Sequence, residues 1–310
     1  MSETTTHALL LTASSAAPGL DETVIAALRP QLAPAQLIDQ RWLAEGVAWQ
    51  GLVVTRAPGE QVALRARLGA ALAPRPIDIN LVPADPATRR KKLLVADMES
   101  TIIEQECLDE LAARVGLGER ISEITVRAMR GELVFEAALK ERVALLKGLD
   151  AAILEDIYAS RVTLMSGAAT LVATMRRHGA HCALVSGGFS FFSERIAARL
   201  QFDSQQANTL EIVDGRLAGS VRQPILGREA KLASLKRLTR ALQLDASDTL
   251  AVGDGANDLS MLRAAGLGVA FRAKPIVAAA AAVRIEHGDL TALLYLQGYA
   301  RHEFDSGRAG

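Results

Sequence analysis

Three short apolar runs in the chain each stop at a polar residue or a glycine turn: "LLVAD" (93–97), "ALVSGG" (183–188) and "LAVGDG" (250–255). A fourth, "GVAF" (268–271), has the same character. Continuous apolar runs bounded by glycine fit strands buried on both faces of a parallel sheet. Helical stretches separate them, among them "AATLVATMRRHG" (168–179) and "EAKLASLKRLTRALQL" (229–244). This alternation predicts right-handed crossovers and an open, doubly wound, Rossmann-like parallel sheet of the α/β class. Ligands of such sheets bind beyond the carboxyl ends of the strands, an edge that Asp97, Ser186 and Asp254 would share.

The first ninety or so residues read differently. Strands are predicted at "HALLLTA" (7–13), "GLVVTR" (51–56) and "IDINLV" (77–82), with helices from Asp21 to about Leu32 and across 59–71. This smaller α/β unit has no cluster of polar residues at strand ends, and "PADPATRRKK" (83–92) reads as a linker. Roughly eighty residues separate the first two sheet strands, more than one crossover needs. Helices are predicted there at about 102–115, 119–130 and 134–147, as a lid over the ligand edge. The third carries Phe135, Leu139, Val143 and Leu146 on one apolar stripe, with Arg142 on nearly the same face as Phe135. That guanidinium either snorkels at the stripe's edge or is aimed at an anion. The expected division is an accessory domain at 1–85, a core of 91–101 and 170–310, and a helical insertion at 102–169.

Composition narrows the functional classes. The chain has 310 residues, half of them hydrophobic, with 35 basic against 35 acidic residues. A net charge of zero supplies no field for nucleic acid or a membrane surface. Cys107 and Cys182 are too few for a disulfide framework or a zinc site. No apolar run approaches the ~18 residues of a membrane span, and the first residues carry no basic stretch ahead of an apolar one. A cytoplasmic protein acting on a small molecule is the expectation.

Candidate chemistry gathers at the strand ends. Asp97 and Glu99 stand two apart, so in strand geometry both carboxylates face one pocket. They can divide nucleophile and proton-transfer roles, or both can cap the helix beginning near Ile102. In "GDGANDLSML" (253–262), Asp254 and Asp258 flank a turn with spacing suited to Mg²⁺, or Asp258 is an N-cap. "VSGGF" (185–189) offers a hydroxyl and flexible amides as an anion cradle, or a plain glycine turn. Lys231 supplies a cation to the same anion, or is a solvated lysine. Together these are the parts phosphoryl transfer requires. Competing signatures fall away: "RHG" (177–179) precedes a strand, Arg114 is one position too far from Cys107 for a Cys-x5-Arg loop, and no Walker A sequence or calcium loop is present.

In combination and in this order, "DMEST" (97–101), "VSGGF", the isolated Lys231 and "GDGANDLSML" resemble phosphatases of the haloacid dehalogenase (HAD) superfamily. The stretches "IIEQECLDELA" (102–112) and "RGELVFEAALKERVALLKGL" (130–149) are similar to those of members that hydrolyse L-O-phosphoserine in the last step of serine synthesis. The resemblance covers roughly 91–300 and implies a HAD-like core with an inserted helical cap. It implies that Asp97 forms an aspartyl-phosphate, with Glu99 as acid and base. It implies Mg²⁺ held by Asp97, the backbone carbonyl of Glu99 and Asp254, with Asp258 in support. Ser186, Gly187 and Lys231 would hold the phosphoryl oxygens beside Asn257. Glu106 would meet the substrate ammonium and Arg142 its carboxylate, with Phe135 closing over it. Residues 1–85 resemble an ACT-like domain in layout, which implies effector binding or a homodimer. One position departs from the family pattern: Glu99 stands where an Asp is usual, which leaves open a phosphatase of another small phosphate, such as phosphothreonine or phosphohomoserine, or a catalytically impaired regulatory module.

Overall fold

The computed structural model describes residues 4–57, 59–129 and 132–307. The first unit comprises β1 (Thr5–Ala13), α1 (Glu22–Leu28), β2 (Gln36–Ala44), β3 (Ala48–Thr55), α2 (Glu60–Leu72) and β4 (Ile77–Pro83). Its strands pair antiparallel in the order β2-β3-β1-β4, the arrangement of a split βαββαβ unit. Leu9, Leu11, Trp49, Val53, Ile77 and Ile79 turn to one face, where Val24, Ile25, Leu64 and Leu68 of the two helices cover them. The alternate residues Ala8, Leu10, Ala48 and Val82 join a second apolar cluster that continues into the larger unit. β1 is therefore apolar on both faces because both are covered. α1 stops sooner than the pattern predicts, giving way to a 3₁₀ turn (Arg29–Gln31) where Pro30 enters.

A short α3 (Pro86–Arg89), capped by Asp85, leads into the core. There β5 (Leu93–Ala96), β6 (His181–Phe189), β7 (Ser204–Asn208), β10 (Thr249–Gly253), β11 (Leu267–Phe271) and β12 (Val283–Ile285) form a parallel sheet in the order β12-β11-β10-β5-β6-β7. Between β7 and β10, the pair β8 (Leu210–Val213) and β9 (Arg216–Val221) makes an antiparallel hairpin. Period-two alternation divides the strands between two cores. Leu94, Ala96, Leu184 and Val252 pack with Val172 and Met175 of α8 (Ala168–Arg177) and Phe192 and Ile196 of α9 (Ser190–Leu200). Leu93, Val95, Ala183 and Ala251 pack with Leu235 and Leu238 of α10 (Arg228–Ala241) and Met261 of α11 (Leu259–Ala264). The sheet is doubly wound, and the order reverses at β5 and β10, which opens the ligand crevice beyond their carboxyl ends. The chain closes through α12 (Pro275–Ala280) and α13 (Ala292–Leu296).

Four helices interrupt the sheet after β5: α4 (Cys107–Arg114), α5 (Gly118–Met129), α6 (Phe135–Ala144) and α7 (Ala152–Arg161). The predicted first helix at 102–115 is shorter because Ile102 and Ile103 are wholly buried and Ile103 bridges to Leu164. Met165 N–H donates to the Ile102 carbonyl at 2.9 Å and Glu104 N–H to that of Thr163 at 3.1 Å, so entering and leaving chains are laced together. α7 was not among the predicted helices, and of the predicted 119–130 and of "RGELV", residues 130–131 lie outside the described ones. Beyond α6, Gly148 N–H donates to Leu217 O at 2.8 Å and Leu217 N–H to Leu149 O at 2.9 Å, seating the insertion on the β8–β9 hairpin. Among the described residues, no helix is long and apolar enough to cross a membrane.

The two units are joined by buried polar bonds. Arg89 donates to Gln50 Oε1 at 2.9 Å and to the Leu296 and Tyr295 carbonyls at 3.1 and 3.4 Å. Those carbonyls belong to the last turn of α13, where Tyr295 O also accepts Gly298 N–H at 2.9 Å and where a cation is favoured. Burial, with the charges of Arg41 and Arg90, pulls the Arg89 guanidinium down to about 10, so it stays cationic at neutral pH. On the far side Asn80 mimics a strand, donating Nδ2–H to Arg284 O at 2.8 Å and accepting Arg284 N–H at 3.0 Å. The edge strand β12 is thereby covered. Arg89→Met leaves Gln50 Oε1 and the buried Leu296 carbonyl without their donor, while Tyr295 O keeps the Gly298 N–H, and is expected to cost about 2–4 kcal/mol in urea unfolding. Arg90→Met, whose partner Glu303 is partly exposed, is expected to cost less than about 1 kcal/mol.

Candidate active site

β5 delivers Asp97 to the crevice. Leu93 to Ala96 have no exposed surface, and Asp97 N–H continues the ladder to β10 by donating to Val252 O at 3.0 Å. The Asp97 carboxylate, also buried, lies 2.8 Å from Lys231 Nζ. Lys231 comes from α10, whose Leu235 and Leu238 lock it on the sheet, and it also meets Asp258 Oδ1 at 2.6 Å. Asp254 follows β10, and ligand atoms of Asp97, Asp254 and Asp258 all lie within 4.8 Å of one another. Gly253, the residue before Asp254, makes room for the returning Asp258: a Cβ there would lie 2.4 Å from the Asp258 carboxyl carbon. Asp258 Oδ2 accepts Gly255 N–H at 3.0 Å, and Asn257 folds over Gly255.

Three buried carboxylates share one buried ammonium, and a second cation, the half-exposed Lys274, stands 3.8 Å from Asp254 at the rim, so negative charge remains in surplus when all three are ionised. Burial and the Asp258 charge push Asp97 well above the usual carboxylate range, with Lys231 opposing. Burial alone would pull Lys231 down, but Asp97 and Asp258 more than offset it and its proton is held more tightly than in water. Burial lifts Asp254 to about 6, opposed by Lys274 and reinforced by Asp258 and Glu106. Hard oxygen donors in this surplus fit a small divalent cation.

After Asp97 the strand ends, so the predicted strand spacing does not carry on to Glu99. Met98 buries itself in the core, and Ser100 takes a positive φ of 52°. Glu99 turns toward the insertion, where Oε1 accepts the N–H of Cys107, the first residue of α4, at 2.9 Å. Burial and the neighbouring Glu106 push the Glu99 carboxyl up to about 7, opposed by hydrogen bonds from the Cys107 backbone and thiol. Burial also drives the Cys107 thiol well above its ordinary range. A Cβ on Gly188 would lie 2.6 Å from Glu99 Oε2, so the longer carboxylate fits because that position is bare. Glu106 stands beside it, accepting Ser100 Oγ–H at 2.8 Å.

β6 carries "VSGGF" at its carboxyl end, as the sequence pattern predicts, and its register with β7 slips between Val185 and Phe189. Ser186 Oγ accepts Gly188 N–H at 2.9 Å. Asn208, buried at the carboxyl end of β7, pins this stretch to the loop before α10. Its Nδ2–H groups donate to Gly187 O at 2.8 Å and Leu226 O at 3.2 Å, and its Oδ1 accepts Leu226 N–H at 2.7 Å. Sequence reasoning missed Asn208, because one amide in "QQANTL" carries no local signal. From the insertion, the Phe135 ring packs 3.2 Å from where Cβ atoms of Gly187 and Gly227 would stand. Arg142, half-buried, donates Nε–H to Ala138 O of its own helix at 3.3 Å, and among the described residues it is not bonded to the other site residues.

The sequence matches the haloacid dehalogenase-like hydrolase family over residues 94–263. It is 45% identical to a phosphoserine phosphatase of Streptomyces coelicolor over 243 residues, 78% of this chain and 59% of that one. A phosphoserine phosphatase of Haemophilus influenzae is 42% identical over 220 residues, 71% of this chain and 70% of the other. Among solved structures, a probable phosphoserine phosphatase from Vibrio cholerae in its unliganded form superposes with a TM-score of 0.75 at 31% identity, covering 96% of this chain and 88% of that one. The chain thus spans less than two thirds of the Streptomyces protein's length.

Lys231→Met strands Asp97 and Asp258 without their cation. Urea unfolding with EDTA present is expected to show a loss of about 3–5 kcal/mol, and an added divalent cation is expected to restore part of it.

Proposed function

We propose that this chain, which belongs to the haloacid dehalogenase-like hydrolase family, hydrolyses L-O-phosphoserine to L-serine and phosphate through an aspartyl-phosphate on Asp97. One observation carries the reading: a carboxylate fixed by a buried lysine at the sheet's switch point, with a second acid two residues on. The similarity to phosphoserine phosphatases along most of the chain supports the substrate.

In this reading an Asp97 oxygen attacks phosphorus in line with the ester oxygen. The P–O bond to serine breaks as the P–O bond to Asp97 forms, and Glu99 hands its proton to the departing seryl oxygen. Glu99 then takes a proton from a water molecule that attacks the same phosphorus, the Asp97–P bond breaks, and phosphate leaves. An acid lifted to about 7 is suited to giving and taking a proton near neutrality. Lys231, Ser186 Oγ and Gly187 N–H hold the equatorial oxygens beside Asn257. Mg²⁺ would be held by Asp97, the Glu99 carbonyl and Asp254, with Asp258 in support, and when bound it neutralises charge on the phosphoryl oxygens. In the cap, Glu106 receives the substrate ammonium, Arg142 swings from Ala138 to the carboxylate, and Phe135 covers the phosphoester.

A phosphate-release panel tests the substrate. L-Phosphoserine is expected to exceed O-phosphothreonine and O-phosphoethanolamine by at least about tenfold in kcat/KM, with activity lost in EDTA and restored by Mg²⁺. Arg142→Ala is expected to raise KM for L-phosphoserine about tenfold or more while leaving that for O-phosphoethanolamine, which lacks the carboxylate, unchanged. Equal effects on both would contradict the assignment. Gly188→Ala displaces the Glu99 carboxylate and is expected to lower kcat about a hundredfold while the protein stays folded.

A further inference from the structure

The accessory sheet and the core enclose a cleft of about 900 Å³, away from the catalytic crevice and unused by the proposed reaction. α2 and β4 form one wall, and the end of α12 with β12 forms the other. Cationic groups enter from both units: Arg65 and Arg75 from the accessory side, Arg284 from the core. The acids at the cleft are already engaged. Asp78 accepts the Glu286, His287 and Gly288 N–H groups, at 2.8, 3.2 and 2.8 Å. Glu286 pairs with Arg284 Nε at 3.3 Å.

Arg65 is half-buried and donates Nη1–H to the Ala282 carbonyl across the cleft. A guanidinium has five N–H donors, and among the described residues this bond engages one of them. Burial and the charge of Arg284 both pull the Arg65 guanidinium down, with Glu286 opposing, so the two forks stand within each other's field. Among the described residues Glu286 is the one acid that answers these forks, and Asp78 is taken up by backbone N–H groups, so three guanidinium groups leave the cleft short of negative charge. Between them the walls are apolar, with Val62, Ala66, Ala279 and Ala280, and Val62 is 68% exposed.

We propose that this cleft binds a small organic dicarboxylate, one carboxylate bridging Arg65 and Arg284 and the other meeting Arg75 at the rim. Planar guanidinium forks match carboxylates in two-point geometry, and a short hydrocarbon chain suits the alanine-lined walls. The site joins the two units, so its occupant holds the accessory sheet to the edge of the core. The inference is independent of the reaction proposed for the crevice.

Calorimetric titration of the full chain with succinate tests it, with inorganic phosphate as a second arm. Saturable binding of one succinate per chain is expected. Arg65→Gln and Arg284→Gln are each expected to weaken it about tenfold or more, whereas Arg195→Gln, on the Glu155 pair of the insertion, leaves it unchanged. Thermal unfolding checks that the variants are folded. Should Arg65→Gln fail to fold, Arg75→Gln at the rim carries the same readout, with a weakening of at least about threefold. No saturable heat with succinate below about 10 mM, equal affinity in the arginine variants, or binding of phosphate in place of succinate would overturn the assignment.

Discussion

The ammonium of Lys231, buried between Asp97 and Asp258, is the contact on which the rest of the site depends. Carboxylates this close, out of water, repel one another and lose hydration, and a cation among them is what allows them to share the space. The cation arrives on α10, one acid at the end of β5, and the other on the turn before α11. A parallel sheet whose strand order reverses between β5 and β10 brings those three segments to one edge. The two apolar clusters on either face of the sheet hold that edge in register. Lysine balances only one of the negative charges, which is why the same place suits a divalent ion.

Around this centre, glycines decide what fits. Gly253 admits the Asp258 carboxylate and Gly188 admits that of Glu99. The extra methylene of Glu99 carries its carboxylate to the start of α4, where Cys107 N–H receives it. The acid is thereby tied to the insertion rather than to the sheet, so in the proposed reaction cap position and proton transfer are linked through one hydrogen bond. Asn208 does the corresponding work on the other side, tying Gly187 to the loop that leads to Lys231.

The core strands were legible because strands covered on both faces are continuously apolar, as in Leu93–Ala96 and Leu250–Val252. Asp97, Asp254 and Asp258 were legible because they end or follow those strands. β2 was not, since "QLIDQRWLA" is an exposed edge whose polar residues give no strand period. The β8–β9 hairpin was missed although a signal existed: Asp214 and Gly215 both take positive φ, the Asp-Gly pair that a two-residue hairpin favours. Lys231 taken singly reads as a cation for the anion site or as a solvated lysine, and only the resemblance gives it a site role, because nothing in "GREAKLASL" shows that its helix faces two acids far away in sequence. Arg142 was read as a fork for a substrate carboxylate, and here its Nε–H rests on its own helix. Long-range pairing of charge is not a local property, and it is where sequence pattern gives out.

The most direct test of the account is to catch Asp97 in the act. The protein, turning over L-phosphoserine with Mg²⁺ present, is quenched rapidly in acid and its peptides are mapped by mass spectrometry. The account predicts a phosphoryl group on the peptide carrying Asp97, labile to hydroxylamine as an acyl phosphate is, and absent from Asp97→Asn. Steady phosphate release with no modified Asp97 peptide, or with the phosphoryl group on another residue, would contradict it.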